Sequence, residues 1–210
     1  MRSLLDESKM NLPCDFVTLN QTSQLHAPFE FEWRGKGLEG IAVKDGSKGV
    51  VLKRYPQLEP LVEHLFGLLP DKKFKNVDVF HLDFSKESKT CKNADWHLDG
   101  KMLTESPEHY AIWCDGDYRT KFMHTPMQVE KDRIEAAQGF SRFVFFKEFL
   151  GKDLHNDELG EEVPNKTPIS YTTFDFHKGR NVTAPEGERF FIRVMTSDFI
   201  APKNNFNFQI

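Results

Sequence analysis

From residue 75 onward the chain runs in short apolar–polar alternations separated by links rich in Gly, Pro, Asn and Asp. Period-two alternation places successive side chains on opposite faces of an extended strand, so such a chain is committed to a β-rich fold. In "KNVDVFHLDFS" Val77, Val79, His81 and Asp83 share one side, and Asp78, Phe80, Leu82 and Phe84 the other. "HYAIWC" reads as a second strand and "GDYRTKFMH" as a third, joined by a turn at "DGD". "ISYTTFDFH" and "RFFIRVMTSDF" are the last two, linked by the turn-rich "KGRNVTAPEGE".

The N-terminal third is mixed. "QLEPLVEHLFGLLP" carries Leu58, Leu61, Val62, Leu65 and Leu68 at helical spacing, with Pro70 as a stop. "VLKRY" reads as a strand, and the Gly clusters in "RGKGLEG" and "KDGSKG" as hairpin turns. "VEKDRIEAAQGFSRFVFFKEFLG" begins helical, and "LHNDELGEEVPNKTP" reads as an acidic loop. The expectation is a single domain over 1–210: an N-terminal elaboration over 1–75 and an antiparallel sandwich or barrel over 76–200, with helices packed outside. Twenty Phe among 210 residues supply a large aromatic core.

Net charge is −4, so no general basic field is present to hold nucleic acid. No apolar run reaches the roughly 20 residues of a membrane span, and "MRSLLDESKMNLP" has no signal-peptide core. A cytoplasmic protein is expected. Cys14, Cys91 and Cys114 form no CxxC pair, which favours reduced, packed thiols over a structural zinc site.

Two stretches contain His-Leu-Asp: "VFHLDFS" at 79–85 and "DWHLDG" at 95–100. Chance alone supplies roughly 0.6 His-x-Asp pairs from this composition, so position must discriminate. His81 and Asp83 lie within a long regular strand. His97 and Asp99 follow a loop and precede a Gly, where strands end and open ligand positions occur. His177 sits at the end of another strand, just before a second Gly turn. Two His and one carboxylate on one face of a metal leave positions open, as in non-heme iron sites, and zinc accepts the same ligands. On "GERFFIRVMTS" Arg189, Phe191, Arg193 and Met195 share a strand face, so either Arg can reach a carboxylate in a pocket.

The order His97-x-Asp99, His177, Arg189 resembles the Fe(II)/2-oxoglutarate-dependent oxygenase superfamily over roughly residues 75–200. "FDFHKGRNVTAPEGERFFIRV" is similar to its C-terminal core. The resemblance implies a double-stranded β-helix, or jelly roll, with flanking helices. It implies that His97, Asp99 and His177 hold Fe(II), and that Arg189, or Arg193 on the same face, pairs with the far carboxylate of 2-oxoglutarate. With O2 as co-reactant it implies hydroxylation of an unactivated C–H bond, and Asp99 disfavours the halogenating branch. A small-molecule substrate is expected, with protein or nucleic acid left open. The rival expectations are a cupin-like metal enzyme without 2-oxoglutarate and a non-catalytic jelly-roll binding module. His81 and Asp83 stand as the alternative ligand pair, or as residues lining the pocket. Tyr110, Trp113, Tyr118, Arg119, Thr120 and Lys121 are candidates to face it. His109 and His124 read as surface or packed histidines, Asn181 as a turn residue, and Trp96 as packing beside the site.

Overall fold

The computed structural model describes residues 15–84, 96–100, 106–132, 134, 159–179 and 187–206. In chain order the elements are β1 (Phe16–Leu19), β2 (Gln24–Leu25), β3 (Ala42–Ser47), α1 (Lys48–Arg54), a 3-10 turn (Pro56–Leu58) and α2 (Glu59–Gly67). Then come β4 (Phe74–Asp83), β5 (His109–Gly116), β6 (Thr120–Met123), β7 (Met127–Glu130), β8 (Gly160–Glu162), β9 (Ile169–Thr172), β10 (His177–Gly179), β11 (Glu188–Ser197) and β12 (Asn205–Phe206). The protein is mainly β. A seven-stranded antiparallel sheet has the order β12-β3-β4-β11-β5-β9-β2. A three-stranded antiparallel sheet has the order β10-β6-β8, and β1 pairs with β7.

The large sheet is covered on both faces, which is why its strands carry aromatic residues on both sides. Val77, Val79, Ala111, Trp113, Phe190, Ile192 and Val194 face the helices, where they meet Val51 of α1 and Leu61, Val62 and Leu65 of α2. Trp33 from the N-terminal region stacks on Phe190 in the same cluster, so the first third of the chain shares this core. Burial of each Val, Leu, Ile or Phe among them contributes about 1.5–3 kcal/mol. The opposite face carries Tyr110, Ile112, Tyr171 and Met195, which pack with Phe122 of the small sheet. The small sheet turns its other side to a third cluster, with Leu19, Trp96, Met123, Val129 and Phe176.

Several expectations are corrected. "VLKRY" is helical within α1: Val51 is buried under the sheet, and Lys53 and Arg54 suit the helix C-terminus, so packing outweighs β propensity. "KDGSKG" is no hairpin turn; Asp45 and Gly46 lie in β3, where the register against β4 shifts between Val43 and Gly46. β5 and β6 follow one another across "DGD" but enter different sheets. The acidic loop contains β8, and Val129 and Glu130 belong to β7 rather than to a helix. Residues 135–158 and 180–186 lie outside the described residues, and with them most of the helix expected after 130, and Asn181.

The largest correction concerns "ISYTTFDFH", which is two strands in two sheets. Buried Asp175 ends the first. Its carboxylate accepts from the backbone amides of Thr172 (2.9 Å), Thr22 (3.0 Å) and Ser23 (3.1 Å) and from the Thr22 hydroxyl. A side-chain acceptor that captures amides in this way competes with the ladder and forces a turn. Asp175→Ala strands these donors, so urea unfolding should show a loss of about 2–3 kcal/mol.

Among the described residues no helix is long and apolar enough to cross a membrane. Cys114 is a buried free thiol; Cys14 and Cys91 lie outside the described residues.

Candidate metal centre

His97, Asp99 and His177 converge. All three are buried, and one ligand atom from each lies within 4.8 Å of the others. Their convergence has a backbone cause. His97 and His177 form an antiparallel bridge, with His97 N–H donating to the His177 carbonyl at 2.9 Å and the reverse bond at 3.1 Å. Asp99 lies two residues on and on the same side. His177 opens β10 rather than ending a strand; the turn at Asp175 moves it into the small sheet, facing the large one.

The His177 ring is fixed on several sides. Phe122 stacks on it with centroids 5.2 Å apart, and Tyr171 and His97 lie at 4.9 and 4.4 Å. Nδ1 lies 3.2 Å from the Asp175 carbonyl. A carbonyl only accepts, so Nδ1 donates and Nε2 is the nitrogen left for a ligand position. Nε2 faces Asp99 Oδ2 at 3.1 Å. Two imidazoles and one carboxylate, with ligand atoms within 4.8 Å of one another, are donors of the type a divalent cation takes. The donor set therefore fits a divalent transition metal.

Asp99 is held ionised. Burial pushes its carboxyl up, but Arg193 and then His177 outweigh it and keep it well below the usual carboxylate range. Its Oδ2 accepts from Arg193 Nη1 at 2.5 Å and from the Tyr171 hydroxyl at 2.8 Å. Burial opposes the Arg193 charge, and Asp99 and Asp78 more than offset that. Burial, then Asp99, raises the Tyr171 phenol well above its ordinary value, so it stays a donor.

The two arginines differ in their partners. Arg193 is shared between two carboxylates, Asp99 and buried Asp78. Arg189 is buried, at 6% exposed. Its Nη2 donates to the Thr120 hydroxyl at 2.6 Å, its guanidinium lies over Phe191, and among the described residues its Nε has no hydrogen-bond partner. Thr120 shares its β6 face with Phe122, two residues on, which stacks on His177. The Arg189 head is therefore about one strand pitch, about 7 Å, from the ring that packs against a candidate ligand.

The "VFHLDFS" pair is on the other side of the sheet. His81 packs against Trp33, accepts from the Gly40 amide at Nδ1 (2.9 Å) and meets Glu188 at 3.2 Å. Asp83 shares that face by period two. Neither joins the cluster nor lines the space between the sheets. The residue of β4 that does reach the centre is Asp78, through Arg193. Tyr110 and Thr120 face the centre, and Trp113 points to the helices, with Nε1 donating to the Phe29 carbonyl. Tyr118 packs on Phe84, Arg119 is half exposed beside Glu162, and Lys121 pairs in register with Glu162 of β8. His124 is half exposed near Glu161, and His109 is part-buried. Trp96 is buried in the cluster behind the small sheet. Asp78 and Tyr171 are the residues the sequence did not single out. A lone carboxylate among Phe80, Leu82 and Phe84 on an apolar strand face was the available signal for Asp78.

Gly100, beside Asp99, has φ +70°, and a Cβ there would strike the Tyr110 hydroxyl and the Glu108 carboxylate. Gly100→Ala should lose about 1–2 kcal/mol from the left-handed backbone alone and weaken metal uptake by displacing Asp99, as read by thermal melts and metal titration.

Compared with family models, with curated proteins and with solved structures, the chain finds no match.

Proposed function

We propose that this protein is an Fe(II)- and 2-oxoglutarate-dependent oxygenase that hydroxylates an unactivated C–H bond of a small molecule. The observation that carries the reading is Arg189. A buried guanidinium whose hydrogen-bond partner among the described residues is one neutral hydroxyl is costly unless an anion meets it. Its place, about one strand pitch from the His177 ring pack, suits the far carboxylate of a short dicarboxylate whose other end reaches the metal. Arg193, tied to Asp78 and Asp99, is the weaker choice for that role.

On this reading His97, Asp99 and His177 hold the iron. Arg189 and Thr120 orient 2-oxoglutarate by charge and hydrogen bond. Phe122, Phe191, Ile112 and Met195 exclude water from the space between the sheets. Bound iron and cosubstrate supply O2 activation coupled to oxidative decarboxylation, with succinate and CO2 as co-products. Asp99 fills the carboxylate ligand position, so hydroxylation is favoured over halogenation. Two facing antiparallel sheets with the donors between them fit a double-stranded β-helix. The absence of a basic field favours a small molecule over nucleic acid, and the buried thiol of Cys114 fits a cytoplasmic setting.

The test is anaerobic titration with Fe(II), then 2-oxoglutarate, following the visible metal-to-ligand charge-transfer band. The band should appear only when both are present. Iron uptake without a band would move the assignment to a cupin-like enzyme that does not use 2-oxoglutarate. No metal uptake by folded protein would leave a binding module.

A further inference from the structure

The stretch 96–100 that carries Asp99 has little regular backbone pairing; among the described residues its bridge is the one between His97 and His177. Arg193 and Tyr171 instead both donate to the Asp99 carboxylate. Arg193 donates to it from Nη1, while its Nε (3.1 Å) and Nη2 (2.5 Å) both bond Asp78 Oδ2. The planar fork is thereby locked from behind by a buried carboxylate on β4. The Arg193 head also lies 5.6 Å from the Tyr110 ring centroid. Tyr110 stacks on Tyr171, at 5.1 Å and 18° between planes, and Tyr171 donates to the same Asp99 oxygen. Asp78, Arg193, Tyr110 and Tyr171 thus come from four strands of one sheet, and their two donors meet at one oxygen.

We infer that Arg193 and Tyr171 are positioning residues that clamp the Asp99 carboxylate in its metal-binding orientation, with Asp78 as the anchor of the clamp. The inference rests on the metal-centre reading above. A pure charge role for Arg193 makes the opposite demand. A cation this close repels a divalent metal, so charge alone gives no reason to keep it there. Asp78 offsets that charge and leaves geometry as the benefit. Outer-shell hydrogen bonds of this kind are worth about 10–100-fold in metal affinity.

Arg193→Lys separates geometry from charge. It keeps one positive charge and loses the fork that spans two carboxylates. Tyr171→Phe removes one hydroxyl and no charge, and it carries the test if the lysine variant does not fold. The probe is Co(II) alone, read by its visible d–d bands and its dissociation constant, with no turnover needed. Wild type should bind Co(II), and His97→Ala should not. Arg193→Lys should bind about tenfold or more weakly with shifted bands, and Tyr171→Phe should shift in the same direction by a smaller factor. Wild-type affinity and spectrum in both variants would overturn the clamp and leave the metal centre standing. Failure of folded wild type to take up Co(II) would overturn the metal centre and the clamp with it.

Discussion

Arg189→Met is expected to abolish high-affinity 2-oxoglutarate binding while leaving the fold as stable as wild type, or more stable. The two halves of this result have one physical cause. In the free protein the guanidinium is buried, and among the described residues it has a single hydrogen bond, to Thr120, and Nε is without a partner. An apolar side chain of similar length removes that desolvation cost, and replacing poorly paired buried charge by hydrophobe is often neutral or stabilising by about 1–4 kcal/mol. The dicarboxylate, in turn, loses its charge-assisted contact, worth about 1.5–3 kcal/mol. That corresponds to a roughly 10–150-fold rise in the 2-oxoglutarate dissociation constant. Titration of the charge-transfer band gives the binding half, and a thermal melt gives the other. A large drop in melting temperature with unchanged 2-oxoglutarate affinity would make Arg189 a structural residue.

Loss of His97 or His177 is expected to remove metal uptake altogether, whereas His81→Ala should keep it at the wild-type level. Outer-shell partners cost about 10–100-fold when removed, so deleting one of the three candidate ligands should exceed about 100-fold. His81 gives the sharp contrast because it belongs to the same short motif. It lies across the sheet, against Trp33 and Glu188, so its loss costs local packing and the bond to the Gly40 amide. Metal content after dialysis against Fe(II) or Co(II), measured on the three alanine variants, decides the matter. Metal retained in His97→Ala and lost in His81→Ala would reverse the assignment of the two His-Leu-Asp copies.

The elements legible in the sequence were those whose pattern is local. Helix α2 follows from Leu61, Val62 and Leu65 at helical spacing, all three buried, with Leu58 buried in the 3-10 turn just before it. The faces of β4 and β11 follow from period two, and the pairing of Arg193 with Asp78 in register confirms that both faces were read correctly. "VLKRY" is helical rather than extended because the space beneath the sheet takes Val51 on a helix, which outweighs the strand preference of its β-branched valine and its tyrosine. "ISYTTFDFH" was misread because its break depends on Asp175 accepting amides from Thr22 and Ser23, about 150 positions earlier.

The sequence by itself determined the chemical types at the candidate centre: two imidazoles, a carboxylate two residues from one of them, and two arginines on one strand face. Those are properties of residue identity and of period two, which need no partner strand. Local context also favoured the second His-Leu-Asp copy, which follows a loop and precedes a Gly, but only the tertiary structure brings that copy to His177. Strand pairing separates the two copies: β4 turns His81 toward the helices, and the bridge between His97 and His177 brings the second copy to the space between the sheets. The structure likewise distinguished the two arginines. Arg193 stands opposite Asp78 and within reach of Asp99, and Arg189 stands opposite Leu82 and Gly116 with Thr120 at its head. Which charges meet across a sheet is fixed by register between distant strands, and register is a property of the folded chain.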